Sequence, residues 1–157
     1  MEKRAGDLSF FNTRLNGPLN KEEICRRIPH GVECLLIDNA VIHSPEALSA
    51  EFHCTGGESF FTGHYPFRKV LPGHIILEAM GQGGALLAGY TPDFAGQAGY
   101  LATVERMRFR KMLVPPFEAR IEVRLEQRKL NMGWFHGRMS LDGHPDVAEG
   151  RWIIRFI

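Results

Sequence analysis

Gly63-His64-Tyr65-Pro66 sets one imidazole in a loop of glycine, proline and aromatic residues, and Glu78 follows it by fourteen positions. An imidazole exchanges protons near neutral pH, and a carboxyl can donate or accept one, so the two residue types suit acid–base chemistry on a single substrate. From the residues alone His64 has two readings: a hydrogen-bonded loop residue or a proton acceptor.

Glu78 sits in a segment that is otherwise apolar or small, Gly73 to Ala88, broken only by His74, Glu78 and Gln82. Their i, i+4, i+8 spacing puts all three on one face of a helix. Either that face meets solvent or a structural ion pair, or it lines a cavity. In a cavity, desolvation is expected to raise the pKa of Glu78 and suit it to general-acid work.

The elements that must position these groups follow from pattern. Pro72 suits a helix start, and the apolar run after it predicts a helix from Gly73 to about Ala88, buried around most of its circumference. Gly81, Gly83 and Gly84 weaken a helix interior, which points to a sheet pressed closely against it. Asn20 and Glu23 have the spacing of a capping box, predicting a short helix over 21–28. Alternating or apolar runs predict strands at Val32–Asp38, Ala40–His43, Leu48–Cys54, Tyr100–Arg110, Phe117–Leu130, Trp134–Leu141 and Val147–Ile157. Asn131-Met132-Gly133 and Asp142-Gly143 favour antiparallel hairpins in the last third, which reads as a meander. Residues 1–19 read as an irregular N-terminal arm and 20–157 as a single domain of α+β class.

Composition narrows the function. The chain has 157 residues, 44% hydrophobic and 24% charged, as in ordinary globular proteins. Nineteen basic residues against eighteen acidic ones leave no field to attract nucleic acid. Cys25, Cys34 and Cys54 match no disulfide framework or CxxC pair, so a reducing, cytoplasmic setting is expected. The apolar run from Ile75 to Tyr90 is too short and too interrupted for a membrane span. Seven histidines form no HxH, HExxH or Cys–His cluster, so no metal site is expected.

The full string changes the weight on His64. Phe60-Phe61-x-Gly63-His64-Tyr65-Pro66, then Val70-Leu71-Pro72-Gly73, then Ile76-Leu77-Glu78-Ala79-Met80-x-Gln82, resembles the signature of the 3-hydroxyacyl-acyl carrier protein dehydratases, the FabZ-like hotdog enzymes of fatty-acid synthesis. Pro29-His30 with Leu35-Leu36-Ile37-Asp38 is similar to that family's opening segment, and Arg108-Phe109-Arg110-Lys111 with Val114-Pro115 to its later strand. The resemblance spans roughly residues 28–157. It implies a hotdog fold, with a long central helix wrapped by a curved antiparallel sheet.

It also implies roles. His64 takes the C2 proton of a 3-hydroxyacyl thioester, and Glu78 protonates the departing hydroxyl to leave a trans-2-enoyl thioester. The Gly73 N–H binds the thioester carbonyl, and Gln82 orients Glu78. The substrate rides on the phosphopantetheine of an acyl carrier protein, with no cofactor or metal of the enzyme's own. The resemblance further implies a homodimer or a trimer of dimers, with His and Glu meeting across the subunit interface.

The chain departs from the family pattern at Phe67, Lys69, His74 and Gly31-Val32-Glu33. These changes bear on substrate length and carrier recognition more than on reaction class, and the pathway is either fatty-acid or specialised lipid or polyketide synthesis. His74 is expected to support the site by reshaping the acyl channel, and Phe67 and Tyr100 to line that channel. Arg106, Arg108, Arg110 and Lys111 are expected to dock an acidic carrier. Two other hotdog activities compete with dehydration: acyl-thioester hydrolysis, and acyl binding without catalysis.

Overall fold

The computed structural model describes residues 17–157. The expected irregular arm therefore lies outside the described residues up to position 16. Its last two residues are not irregular: with Asn20 they form a short strand, β1 (Pro18–Asn20), that runs directly into helix α1, Lys21–Arg27. Helix α1 starts where the capping box predicts. Asn20 Oδ1 accepts from the Glu23 N–H, and a Glu23 carboxylate oxygen accepts from the Asn20 N–H, both at 3.0 Å.

Strands β2 (Asn39–Ser44) and β3 (Ala47–Cys54) form a hairpin. After a long loop comes helix α2, Gly73–Gly89, with Pro72 as its N-cap. Four strands complete the chain: β4 (Gly99–Phe109), β5 (Phe117–Lys129), β6 (Met132–Leu141) and β7 (His144–Phe156). All seven pair antiparallel in one sheet of order β1-β2-β3-β5-β6-β7-β4.

Helix α2 packs on the inner face of this sheet, touching β3 and β4 through β7. This is the hotdog arrangement. Alternation along β5 explains the face it presents: Ala119, Ile121, Val123 and Leu125 are buried, and the residues between them are exposed. Glycines in α2 allow the approach. A Cβ on Gly83 would lie 3.0 Å from Val123 Cγ2, and one on Gly84 would lie 3.2 Å from Ile154 Cδ1. Gly81 differs, since a Cβ there meets nothing within 4 Å; close packing does not account for it.

Two expectations are corrected. Strand β4 does not lie beside β5 in the meander but at the far edge, paired only to β7. Both edges of β5 are already taken by β3 and β6, and the Val114-Pro115-Pro116 connection lacks the geometry of a tight hairpin. The run 32–38 is also not a strand. It opens as a 3₁₀ turn, Val32–Cys34, and continues outside the regular strands as far as Asp38, whose N–H donates to the Glu51 carbonyl at 2.8 Å.

Candidate active site

The reason that segment leaves the sheet lies on the polar stripe of α2. Gln82 is fully buried. Its side-chain Oε1 accepts from the Leu36 N–H at 2.8 Å, and its Nε2 donates to the Cys34 carbonyl at 2.8 Å. One amide thus offers the backbone the acceptor and donor that a neighbouring strand would supply. The same Nε2 donates to Glu78 Oε1 at 2.9 Å. Exposure rises along the stripe, from buried Gln82 through Glu78, whose side chain is 46% exposed, to exposed His74.

Glu78 has a second partner, His30, whose Nε2 lies 3.2 Å from the same Oε1. Hydrogen bonding from His30 holds the Glu78 carboxyl below the usual carboxylate range, with a smaller pull from Gln82; burial works the other way and loses. The expectation that desolvation would raise this pKa is therefore reversed in the isolated chain. Two N–H donors on one oxygen stabilise the ionised form more than partial burial disfavours it. Glu78 forms part of the wall of a cavity of about 500 Å³, with Ile75, Phe52, Phe60, Leu36 and Cys34.

His64 is held differently. Its Nδ1 lies 2.9 Å from the Val70 carbonyl. A carbonyl only accepts, so Nδ1 carries the hydrogen and Nε2 of the neutral ring is left as the proton acceptor. The turn that presents the ring is tight: Gly63 has φ +77° and Tyr65 has φ +51°. The second value is costly for a residue with a Cβ and requires the surroundings to hold it. The His64 N–H donates to the Phe61 carbonyl, and the Tyr65 ring meets the imidazole with centroids 4.5 Å apart. Behind the turn, Glu58 accepts from the Thr55 and Gly56 N–H groups and the Thr55 hydroxyl, while Lys69 Nζ donates to the Gly56 carbonyl.

Gly73 opens α2, where the N–H groups have no intrahelical carbonyl. The Phe109 ring covers its Cα so closely that a Cβ would lie 2.9 Å from Cζ. Among the described residues no cluster of three or more His, Cys, Asp or Glu is arranged to hold a metal ion, and no helix is long and apolar enough to cross a membrane.

With this geometry in view, comparison with known proteins is direct. The family model of the FabA-like domain matches residues 28–150. The chain belongs to the FabA-like family. Its relatives include the 3-hydroxyacyl-acyl-carrier-protein dehydratase FabZ of Magnetococcus marinus, 40% identical over 129 residues, which are 80% of this chain and 84% of that protein. The FabZ of Roseiflexus castenholzii is 36% identical over 133 residues, 84% of this chain and 92% of that one. Among solved structures, a chain of the dehydratase heterocomplex ApeI:P from Xenorhabdus doucetiae superposes with a TM-score of 0.71 at 18% identity, covering 85% of this chain and 90% of that one. The PaaI protein of E. coli gives 0.62 at 11% identity, covering 86% and 88%. Those two likenesses bear on the hotdog fold alone.

For this FabA-like chain, not every expected site residue gathers in one place. Glu78 and Gln82 are bonded to each other, but His64, His74, Phe67 and Tyr100 do not line the cavity on which Glu78 lies. Phe67 is 86% exposed and Tyr100 sits half-exposed on edge strand β4. Arg106 and Arg108 are exposed on the same strand, and Lys111 is half-buried just beyond it. Arg110, also exposed, is bound to Asp146 and Glu149 at 2.8 Å each. His30 was not among the expected site residues. The Pro29-His30 pair in the family-like opening segment was its only signal, because its contact with Glu78 spans 48 positions and leaves no local pattern.

Proposed function

We propose that this protein is a lyase that removes water from a 3-hydroxyacyl thioester on acyl carrier protein, giving the trans-2-enoyl thioester. The hydrogen bond from His64 Nδ1 to the Val70 carbonyl carries this reading, because it fixes Nε2 as a base. In the reaction His64 Nε2 takes the C2 proton, and Glu78, which takes up a proton when bound substrate displaces water from its half-exposed carboxyl, gives that proton to the 3-hydroxyl as it leaves. The charge that develops on the thioester oxygen meets the Gly73 N–H at the positive end of α2. Phe109, packed on Gly73, walls this position on one side. The chemistry uses side chains and backbone only, and calls for no metal or organic cofactor.

Since His64 does not share the cavity of Glu78 within one chain, the reading includes a second copy. Strand β4 supports it. This edge strand exposes Tyr100, Leu101, Val104 and Phe109, each at 41% or more, beside an open row of backbone groups. A long apolar edge of this kind pairs with another strand. Two copies joined there form a homodimer with two sites, alone or as part of a trimer of dimers. Exposed Arg106 and Arg108 give the acidic carrier protein a basic surface to approach. Three cysteines whose spacing matches no disulfide framework suit a cytoplasmic setting.

Incubation with a 3-hydroxyacyl-carrier thioester tests the reaction: enoyl product is expected, whereas free acid would mean hydrolysis and binding without turnover a non-catalytic subunit. Mixing equal amounts of unfolded His64→Ala and Glu78→Gln chains and refolding them tests the shared site. Random pairing into two-fold dimers restores about a quarter of wild-type activity if each site draws on both copies. No recovery would place both groups of a site on one chain.

A further inference from the structure

The segment between α1 and β2 touches the polar stripe of α2 at three points. Gln82 takes two of them, the Cys34 carbonyl and the Leu36 N–H, and His30 Nε2 meets Glu78 Oε1 at the third. Gln82 is fully buried, with its amide oxygen and nitrogen both engaged in these bonds. The result is that one oxygen of Glu78 receives two N–H groups, from Gln82 at 2.9 Å and from His30 at 3.2 Å. A carboxyl oxygen has about two acceptor sites. With both taken on Oε1, a proton on Glu78 can sit only on Oε2.

We propose that His30 is a positioning residue for Glu78: with Gln82 it pins Oε1, so that the acidic proton is carried on Oε2 and delivered from a fixed direction. The inference rests on the reading of Glu78 as the proton donor. It also provides stabilisation that grows during the reaction. When Oε2 gives its proton to the departing hydroxyl, which leaves as water, Glu78 becomes a carboxylate. The His30 Nε2–H then donates to an anion rather than to a neutral acid, and such a charge-assisted bond is roughly twice as strong. A contact that strengthens as charge develops raises turnover rather than substrate binding.

Other ionisable groups near the pair are committed elsewhere or stand apart. On the cavity wall with Glu78 are Lys21, Glu33, Cys34, His53 and Glu58. Lys21 and His53 turn to Asp38, and Glu58 turns to Thr55 and Gly56. His74 lies one turn before Glu78 on α2 and is exposed. His30 is the ionisable group bonded to Glu78, and so is placed to set its state.

The test uses the full-length protein with a 3-hydroxyacyl-carrier substrate and three variants: His30→Ala, His30→Gln and Glu78→Gln. His30→Ala is expected to lower kcat about 10- to 100-fold, the range for losing a hydrogen bond to a charged group, with KM nearly unchanged. His30→Gln, which keeps a neutral N–H donor, recovers much of that loss. The ¹³C titration of the Glu78 carboxyl moves to higher pH in His30→Ala and by less in His30→Gln, with an unchanged denaturation midpoint separating loss of this bond from general loosening of the fold. A loss confined to KM, or a Glu78 titration that stays where it is in the wild type, overturns the inference. If His30→Ala does not fold, the titration in His30→Gln decides by itself. Full turnover in Glu78→Gln would instead remove the reading of Glu78 on which the inference stands. Abolished turnover in Glu78→Gln beside unchanged kcat in His30→Ala removes only the inference.

Discussion

The two catalytic candidates are supported in opposite ways. Glu78 sits on a regular helix, oriented by Gln82 one turn on and by His30 from the segment braced by that same glutamine. His64 sits in a strained turn, its ring held by the Val70 carbonyl and its N–H by the Phe61 carbonyl, with Tyr65 and Phe67 exposed around it. The acid side is pre-organised by buried polar bonds. The base side offers an oriented ring with apolar neighbours still in water. A carboxyl in an apolar helix needs many partners to be tolerable at all, whereas an imidazole needs only its tautomer set. That asymmetry fits a site whose base side is completed by another copy.

The largest effects should not distinguish the two sides. His64→Ala and Glu78→Gln are each expected to lower kcat about 10²- to 10⁴-fold, the usual contribution of a general acid or base. A much smaller loss in either would break the pairing of roles. Stability should then separate them. Gln82→Leu leaves the Leu36 N–H and Cys34 carbonyl without their partner, at roughly 1–3 kcal/mol for each group left unsatisfied. His64→Ala, which removes one part-buried hydrogen bond to a backbone carbonyl, should cost only about 0.5–1.5 kcal/mol. Chemical denaturation of both variants checks the contrast, and equal losses would show that the loop is as structural as the stripe.

A pH effect is expected from Glu58, which braces the loop ahead of His64 and also stands on the cavity wall with Glu78. Partial burial opposes ionisation of Glu58, but the Thr55 N–H, the Thr55 hydroxyl and the Gly56 N–H outweigh it and bring the carboxyl to about 2. A depressed carboxylate pKa stabilises the fold above the ordinary value near 4.5, and this is lost as pH falls through about 2. Melting temperature should therefore drop over that interval, and Glu58→Gln should flatten part of the drop. Only part is expected, because Glu149, bonded first to Arg110 and then to His136, also titrates at about 2. The smallest effect concerns the helix glycines. Gly81→Ala should stabilise by about 0.5–1 kcal/mol, since helix propensity improves and no neighbour is met. Gly83→Ala should gain less than that or destabilise, because its new Cβ presses on Val123.

Much of the fold was legible in the chain because its signals are local. The capping box at Asn20 and Glu23, the alternation in β5 and the apolar run of α2 each depend on residues a few positions apart. Six of the seven runs read as strands formed, within a residue or a few at each end. The exception, 32–38, is instructive. Its side-chain pattern suits a strand, but its backbone groups are claimed by a glutamine 46 and 48 positions away. Tertiary hydrogen bonding overrode local preference. The site divides along the same line. His64, Glu78, Gln82 and Gly73 stood out by motif and helical spacing, while His30 and the engagement of Arg110 with Asp146 and Glu149 did not.

By itself, then, the sequence determined the family, the hotdog class, the helix that bears the polar stripe and the spacing of histidine and glutamate. These are written in motifs and short periods that any chain of this pattern must express. Only the tertiary structure decided that β4 lies at an open edge, that the carboxyl of Glu78 is held below its ordinary pKa rather than above it, and that His30 is one of the groups holding it there. Protonation is set by distance and burial summed over every neighbour. Those neighbours arrive from distant parts of the chain only when the core has closed.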